Sequence, residues 1–301
     1  MDLALEREVR QAALRWLDER TESAGGFRPF TRAELEQAFA WGGRRIPLVN
    51  RQKGIWKPAG LEAALSILTV HRGPRERRPY DDGIGDDGRP RYMYRGTDPN
   101  HADNRALRAA MRQALPLIWF VGVASGLYEA VRPVWLVDEE PAACRFVVAV
   151  DAAQRALDLE DESERRYAFS LTRQRVHQPV FRAQVIAAYG RCAMCRLGYP
   201  SLLDAAHILR DGHPRGEPVV PNGLALCKIH HAAFDQNLIG VHPERLAVEV
   251  RPDVRRQSDG PMLRHGLQEM QGVRLHLPDA ARARPDPTRL QERWDEFRRA
   301  M

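Results

Sequence analysis

Lysine is the scarcest charged residue of this 301-residue chain, because it occurs only at positions 53, 57 and 228. Arginine therefore carries most of the positive charge. The formal net charge of +6 and the pI near 9.4 fit a polyanionic partner. Such an arginine excess can also reflect genome composition, so charge alone does not assign the partner.

The chain lacks a long hydrophobic run. Its most apolar stretch, ALPLIWFVGVA at 114–124, is shorter than the ~20 residues that span a bilayer. Its β-branched residues favour a buried strand. The first residues carry acidic side chains from position 2 onwards, which is unlike a secretory or organellar leader. We therefore expect a cytoplasmic protein with no membrane role.

Cysteine is also scarce, with four in the whole chain. Two of them form a Cys-x-x-Cys pair, which is typical of a metal site in a reducing compartment and argues against a disulfide framework. Cys144 lies in the strand-like run CRFVVAV and is most simply a buried apolar residue.

The length predicts two domains, and the composition, 44% hydrophobic and 29% charged, is that of a globular protein. Thr31 and Glu34 form a capping box that predicts a helix to about Trp41. From Ile46 onwards, short β-rich runs alternate with Gly, Pro and Asp clusters. We predict an α+β fold divided into an N-terminal helical segment at 1–44, a β-rich domain at 45–151, a linker at 152–178 and a C-terminal domain at 179–301.

Two short motifs in the C-terminal part have the spacing of metal ligands. Cys192-x-x-Cys195 can grip one face of Zn²⁺, and Cys227-x-x-His230 offers a second pair with the same spacing. Together they complete a tetrahedral site of three thiolates and one imidazole, the composition of a structural zinc site. The alternative is a chance cysteine pair beside a buried free cysteine and a surface histidine.

His231 follows His230 directly, and neighbouring side chains on a helix point about 100° apart. His231 instead aligns with Asp235 four residues later. An imidazole and a carboxylate can hold Mg²⁺ or Mn²⁺ while leaving coordination positions open for water and substrate oxygens. We interpret His230 as structural and His231 as catalytic.

The segments DAAHI, PNGLALC and HHAAFD contain His207, Asn222 and His231, and over about 181–250 they resemble the HNH motif of ββα-metal nucleases with a zinc knuckle. The resemblance implies that His207 is the general base, that Asn222 braces the loop between the two strands, and that His231 binds the catalytic ion. It also implies double-stranded DNA as the partner. Cutting both strands with one site per chain would favour a homodimer.

One position departs from the family. Many members have an acidic residue or histidine immediately before the base, where this chain has Ala206. Asp204 is the nearest carboxylate and is either the ligand of the catalytic ion from the strand side or an exposed residue at the strand end.

In the N-terminal half, Tyr80, Asp82, Tyr94 and the NRAL helix at 104–107 keep the order found in SRA domains, which flip a modified cytosine out of DNA, and so loosely resemble them. The resemblance implies an SRA/PUA-like β-barrel in which Tyr80 and Tyr94 stack on the base while Asp82 accepts a hydrogen bond from it. Arg78-Pro79 replaces the usual glycine pair. The alternative is a hairpin with an acidic turn and no ligand.

These patterns predict a metal-dependent HNH endonuclease, specifically a restriction enzyme that depends on a modified base. Two alternatives stay open: a DNA-binding module whose zinc-stapled HNH fold is catalytically weak, and a nuclease without modified-base specificity. The sequence does not distinguish DNA from RNA with certainty, nor does it name the modification.

Overall fold

The structure is a computed structural model that describes residues 3–50, 52–71, 84–157 and 161–301. The chain forms two compact units, residues 1–180 and 181–301. Within the described ranges, no helix combines the length and apolar character that crossing a membrane requires. The four domain limits drawn from the sequence stay predictions.

The first unit contains most of the regular elements. Its helices are α1 (Leu3–Ser23), α2 (Arg32–Glu36), α3 (Ala102–Arg112), α4 (Ala152–Ala156), α5 (Glu162–Thr172), a π-helical turn (Arg173–His177) and the start of α6 (Gln178–Tyr189). Its strands are β1 (Phe30–Thr31), β2 (Phe39–Trp41), β3 (Arg44–Ile46), β4 (Ile55–Trp56), β5 (Ser66–Thr69), β6 (Arg91–Met93), β7 (Leu117–Ala124), β8 (Leu127–Glu140) and β9 (Arg145–Ala149), with a 3₁₀ turn at Pro141–Ala143.

The main sheet has the order β4-β5-β7-β8-β9-β6, and β1 also pairs with β8. The first half of the long strand β8 pairs with β7 and its second half with β9, with a register shift between Leu136 and Asp138. The sheet consequently curls into a half-barrel around β8. This mixed architecture confirms the α+β class.

Strand β7 contributes to two hydrophobic cores because successive side chains alternate between the faces of a sheet. Leu117 and Trp119 join a core covered by α3, whereas Ile118 and Phe120 join a second core covered by α1. This two-sided burial explains the continuous apolar run in the sequence.

The helix that begins after Thr31 ends at Glu36 and not near Trp41, although its capping box is present. The reason lies in the next residues, because β2 pairs with β3 in a small hairpin. Strand pairing therefore overrides the helical pattern at this point.

The segment assigned to a linker lies within the first unit and is packed there. Gln154 is fully buried, and its Nε2 donates to the Ala168 carbonyl and to Thr172 Oγ1, each at 2.9 Å. Thr172 Oγ1 in turn donates to the Gly88 carbonyl at 2.7 Å. A chain of buried hydrogen bonds thus fastens α4 and α5 to the β-rich part.

A buried ion pair fastens α1. Glu6 and Arg10, one helical turn apart, are 2% and 1% exposed and form a salt bridge. Arg10 also donates to the Ala64 carbonyl at 2.7 Å and to the Pro116 carbonyl at 3.1 Å. The pair therefore satisfies backbone groups that precede β5 and β7 as well as its own charges.

The second unit is smaller. Its helices after α6 are α7 (Lys228–Asp235), α8 (Pro252–Arg256), α9 (Pro261–Gly266) and α10 (Pro287–Arg299), with 3₁₀ turns at Pro200–Leu202, Val220–Asn222, Gln268–Met270 and Ala281–Ala283. Its strands are β10 (Leu203–His207), β11 (Gly223–Cys227), β12 (Ile239–His242) and β13 (Ala247–Val250), paired antiparallel as β10-β11 and β12-β13.

Replacing Arg10 by Met should destabilise the chain by about 3 kcal/mol, because it leaves the Glu6 carboxylate buried without its cation. A matched control exists on α5, where Glu162 and Arg166 have the same spacing but are 72% and 75% exposed. Arg166→Met should cost less than about 1 kcal/mol. Urea unfolding followed by circular dichroism measures both, and equal losses would contradict the assignment of Arg10 as an anchor.

Candidate active site and metal centre

The second unit brings the sequence motifs together on a strand pair followed by a helix. In the β10-β11 register, Asp204 lies opposite Leu226 and His207 opposite Gly223. Helix α7 begins directly after Cys227, the last residue of β11. A Cβ at Gly223 would meet the side chains of Val185 and Phe181 on α6 at 2.5 and 2.9 Å, so glycine lets α6 pack closely against this strand.

Cys192, Cys195, Cys227 and His230 form one cluster, in which all ligand atoms lie within 4.8 Å of one another. Bonds of about 2.3 Å to sulfur and about 2.0 Å to nitrogen in a tetrahedron place two sulfurs about 3.8 Å apart and sulfur and nitrogen about 3.5 Å apart. The observed distances are 3.9 Å between the sulfurs of Cys195 and Cys227, and 3.5 and 3.2 Å from His230 Nδ1 to the sulfurs of Cys192 and Cys227. The cluster could therefore hold a metal such as zinc.

The two ring nitrogens of His230 have different partners. Nδ1 faces the sulfurs, whereas Nε2 lies 2.7 Å from the carbonyl oxygen of Gly266 at the end of α9. Because a carbonyl can only accept, Nε2 carries the proton and Nδ1 is the nitrogen available to a metal.

The three thiols of the cluster affect one another's pKa. The hydrogen bond from Cys227 lowers the pKa of Cys192, and the same bond, together with burial, raises the pKa of Cys227. Burial likewise raises the pKa of Cys195. Three thiolates at these distances would repel one another unless a cation lay between them.

His207, the predicted base, stacks on Phe181 with ring centroids 4.2 Å apart. Burial lowers the pKa of His207, so the ring is neutral at pH 7. Its Nε2 is buried and has no hydrogen-bond partner in the described part of the chain. The side chain is thus held by packing, with one nitrogen not engaged by the protein.

Asn222 is fully buried where the loop after β10 returns to β11. Its Nδ2 donates to the carbonyls of Leu209 and Glu217 at 3.0 and 3.1 Å, and its Oδ1 accepts from the Leu209 amide at 3.0 Å. Both ends of the amide therefore tie this loop to the start of β11, which is the geometry expected of a bracing residue.

His231 lies between two carboxylates. Its Nε2 is 3.3 Å from Asp235 Oδ2, and its Nδ1 is 3.6 Å from Asp204 Oδ2. Hydrogen bonds with Asp204 and Asp235 raise the pKa of His231 to about 9. The position thus favours positive charge. Two ligand atoms on one octahedral cation lie about 3.0 Å apart, so Nε2 and Asp235 are spaced to share one.

Asp204 is contacted by several positive groups. Its Oδ1 lies 3.0 Å from Arg182 Nε, and its Oδ2 lies 2.8 Å from Lys228 Nζ. Asp204 and Ala206 share a face of β10, since they are two residues apart. Asp204 therefore faces the same side of β10 as Ala206. It lies near Nδ1 of His231, whereas Asp235 lies near Nε2.

The residues of the predicted base-reading pocket are in a different situation. Tyr80 and Asp82 lie outside the described residues. Tyr94 is 2% exposed, packs on Phe146 with centroids 5.0 Å apart and donates its hydroxyl hydrogen to Glu139. In this structure Tyr94 offers no open ring face to a base, which argues against the stacking role expected from the sequence.

Three contributors to the site had no local signal in the sequence. Arg182 on α6 and Lys228 on α7 contact Asp204, and Gly266 receives the His230 ring hydrogen. Lys228 could have been found, because it is one of only three lysines and adjoins Cys227. The other two lie far along the chain from the groups they contact.

Residues 192–242 match the HNH_2 family, described as HNH endonuclease. The match confirms the prediction of an HNH endonuclease segment, and with it a nuclease as the class of enzyme. Among solved structures, the chain is similar to a modification-dependent TagI restriction endonuclease, with 18% identity over 90% of this chain and 93% of that one and a TM-score of 0.31. No curated protein matches the chain.

Replacing Cys192 by Ser should lower bound zinc from about one ion per chain to well below half, and should lower the unfolding temperature, because one of four ligands is lost. Cys144→Ser is the matched control, since Cys144 is a half-buried free cysteine of the first unit. Plasma emission spectrometry gives the zinc content, and an equal effect of both substitutions would contradict the metal assignment.

Proposed function

We propose that the chain is a metal-dependent endonuclease that hydrolyses phosphodiester bonds in double-stranded DNA. The observation that carries the proposal is the placement of a neutral histidine, His207, near the His231–Asp235 pair within the segment that matches HNH endonucleases. A base and a cation position next to each other are what phosphodiester hydrolysis requires.

His207 takes the role of general base in this proposal. A base must be unprotonated at working pH, and burial keeps the His207 ring neutral. Its stacking on Phe181 fixes the plane of the ring, so a ring nitrogen can accept a proton from water without reorientation. The hydrogen bonds of Asn222 hold the loop that follows His207 in the chain.

His231 Nε2 and Asp235 would hold the catalytic Mg²⁺ or Mn²⁺. A divalent cation bound there supplies charge stabilisation for the leaving 3′ oxygen. Asp204 Oδ2 lies 3.6 Å from His231 Nδ1, an ion-pair distance, and its charge favours the ring orientation in which Nε2 faces Asp235. In this proposal Asp204 positions His231. From the sequence alone, Asp204 is also a possible ligand of the catalytic ion.

The Cys₃His cluster is assigned to structural Zn²⁺. Its four ligands leave no open coordination position for substrate, and three of the four side chains are buried. A metal ion in the cluster would hold the start of α7 against the Cys192–Cys195 segment. It would thus support His231 without taking part in the reaction. Because each chain carries one His207 site, cutting both strands of a duplex would require two chains or two binding events.

The finer proposal is that cleavage depends on a modified base, read by an SRA-like first unit. It rests on the motif order from Tyr80 to the NRAL helix, together with a half-barrel sheet that fits such a domain in outline. Because Tyr94 is buried, the proposal depends on the segment around Tyr80 and Asp82.

Replacing His207 by Ala should lower plasmid nicking in Mg²⁺ or Mn²⁺ at least 100-fold, the usual loss on removing a general base. Binding of duplex DNA should change less than twofold, because the half-buried ring packs against Phe181 and phosphate contacts supply most of the affinity. His265→Ala is the control, since this exposed histidine contacts Glu269 on the surface. A comparable loss of binding in His207→Ala would contradict the catalytic role, and a wild type that binds without nicking would favour the DNA-binding module.

Matched duplexes with unmodified, 5-methylated and 5-hydroxymethylated cytosine test the finer proposal. We expect the wild type to cut at least one modified duplex 10-fold faster or more than the unmodified one, because a reader pocket discriminates by base contacts. The same duplexes should stay uncut with His207→Ala. Equal cutting of all three would retain the nuclease and remove the modified-base reader, and preferential cutting of an RNA duplex would change the substrate class.

A further inference from the structure

A cleft of about 1000 Å³ lies in the first unit, far along the chain from the HNH segment. One wall is the exposed side of α3, and the others are the loop at 57–62 and the first turns of α1. The cleft contains four basic side chains, Lys57, Arg105, Arg108 and Arg112. None of the described residues that line it is aromatic.

The sequence of α3 explains why the basic residues share a side. Ala106, Leu107 and Ala110 are buried in the core against the half-barrel. Arg105, Arg108 and Arg112 follow one another at three- and four-residue steps, so they form a row along the opposite side of the helix. Arg105 and Arg112 are exposed, and they are separated by about 10 Å along the helix axis.

Two of the charges at this cleft are neutralised by the protein itself. Arg108 donates to both oxygens of Glu139, at 2.8 and 2.5 Å. Glu6 is buried in its pair with Arg10. Neither Arg105 nor Arg112 forms a salt bridge with a described residue, and Lys57 donates only to the Leu61 carbonyl.

The remaining side chains that line the cleft carry a net positive charge. Lys57, Arg105 and Arg112 face the single exposed carboxylate of Glu62. Here the cations are gathered in a concave surface, where their fields add and attract a polyanion.

We propose that this cleft binds the phosphate backbone of double-stranded DNA. Guanidinium groups bind phosphate oxygens through two parallel hydrogen bonds, and the ~10 Å between Arg105 and Arg112 spans about three phosphates at a rise of about 3.4 Å per nucleotide. The lack of aromatic lining fits backbone contact and not base stacking. The inference rests on the proposed function for its choice of DNA, but it does not require the catalytic residues.

The test is binding of a fluorescent duplex by the full chain, measured by anisotropy over a range of NaCl without added Mg²⁺ or Mn²⁺. Arg105→Gln combined with Arg112→Gln should weaken binding at least fivefold at low salt. It should also lower the slope of log K against log salt by about 1.8, because each lost phosphate contact removes about 0.9. Gln preserves the helix propensity of these exposed positions.

Two further variants separate this effect from a general one. Arg15→Gln combined with Arg166→Gln removes the same charge from exposed positions outside the cleft, and it should leave the slope nearly unchanged. Glu62→Gln removes the opposing carboxylate and should strengthen binding, which a disturbed fold would not do.

Equal binding by the wild type and the Arg105/Arg112 variant would overturn the cleft as a DNA surface while leaving the nuclease proposal intact, as would equal effects of the two double variants. A wild type that does not bind duplex DNA at all would overturn both. Weaker binding by the cleft variant with normal nicking at saturating protein would support the cleft and separate it from the catalytic centre.

Discussion

The two nitrogens of His230 hold the candidate active site in place. Nδ1 faces the thiols of the Cys₃His cluster, and Nε2 donates to the Gly266 carbonyl. These two contacts of His230 oppose rotation of α7 about its axis. Because His231 is about 100° further round, its direction follows from that of His230. The contacts of His230 therefore determine where His231 points, which is how two adjacent histidines can serve the two roles proposed for them.

The rest of the site is built from contacts that follow from this orientation. His231 lies between Asp204 on β10 and Asp235 on its own helix, so the strand and the helix are linked through one imidazole. Arg182 and Lys228 balance the Asp204 charge, which would otherwise be costly in a partly enclosed position. Packing against Phe181 holds His207. Charge therefore orients His231, whereas packing orients His207.

The sequence predicted what depends on short spacings. The two ligand pairs and the four-residue step to Asp235 are local patterns, and their side chains lie close together in the structure. It did not predict contacts whose partners are distant in the chain, such as Gly266 with His230. Nor did it show that Gln154 fastens the segment read as a linker, because one buried amide leaves no periodic pattern.

The ion pairs suggest how binding and chemistry are divided between the two units. Around the loop after β10, Arg210, Arg215 and Arg289 each pair with a glutamate, so their net attraction for phosphate is reduced. A nuclease centre that contacts mainly the scissile phosphate needs little additional attraction for DNA, provided that another surface supplies the affinity. In the α3 cleft, Arg108 pairs with Glu139, whereas Arg105 and Arg112 form no salt bridge with a described residue. Under the two proposals above, the second unit would carry the residues for hydrolysis and the first unit would add affinity for DNA.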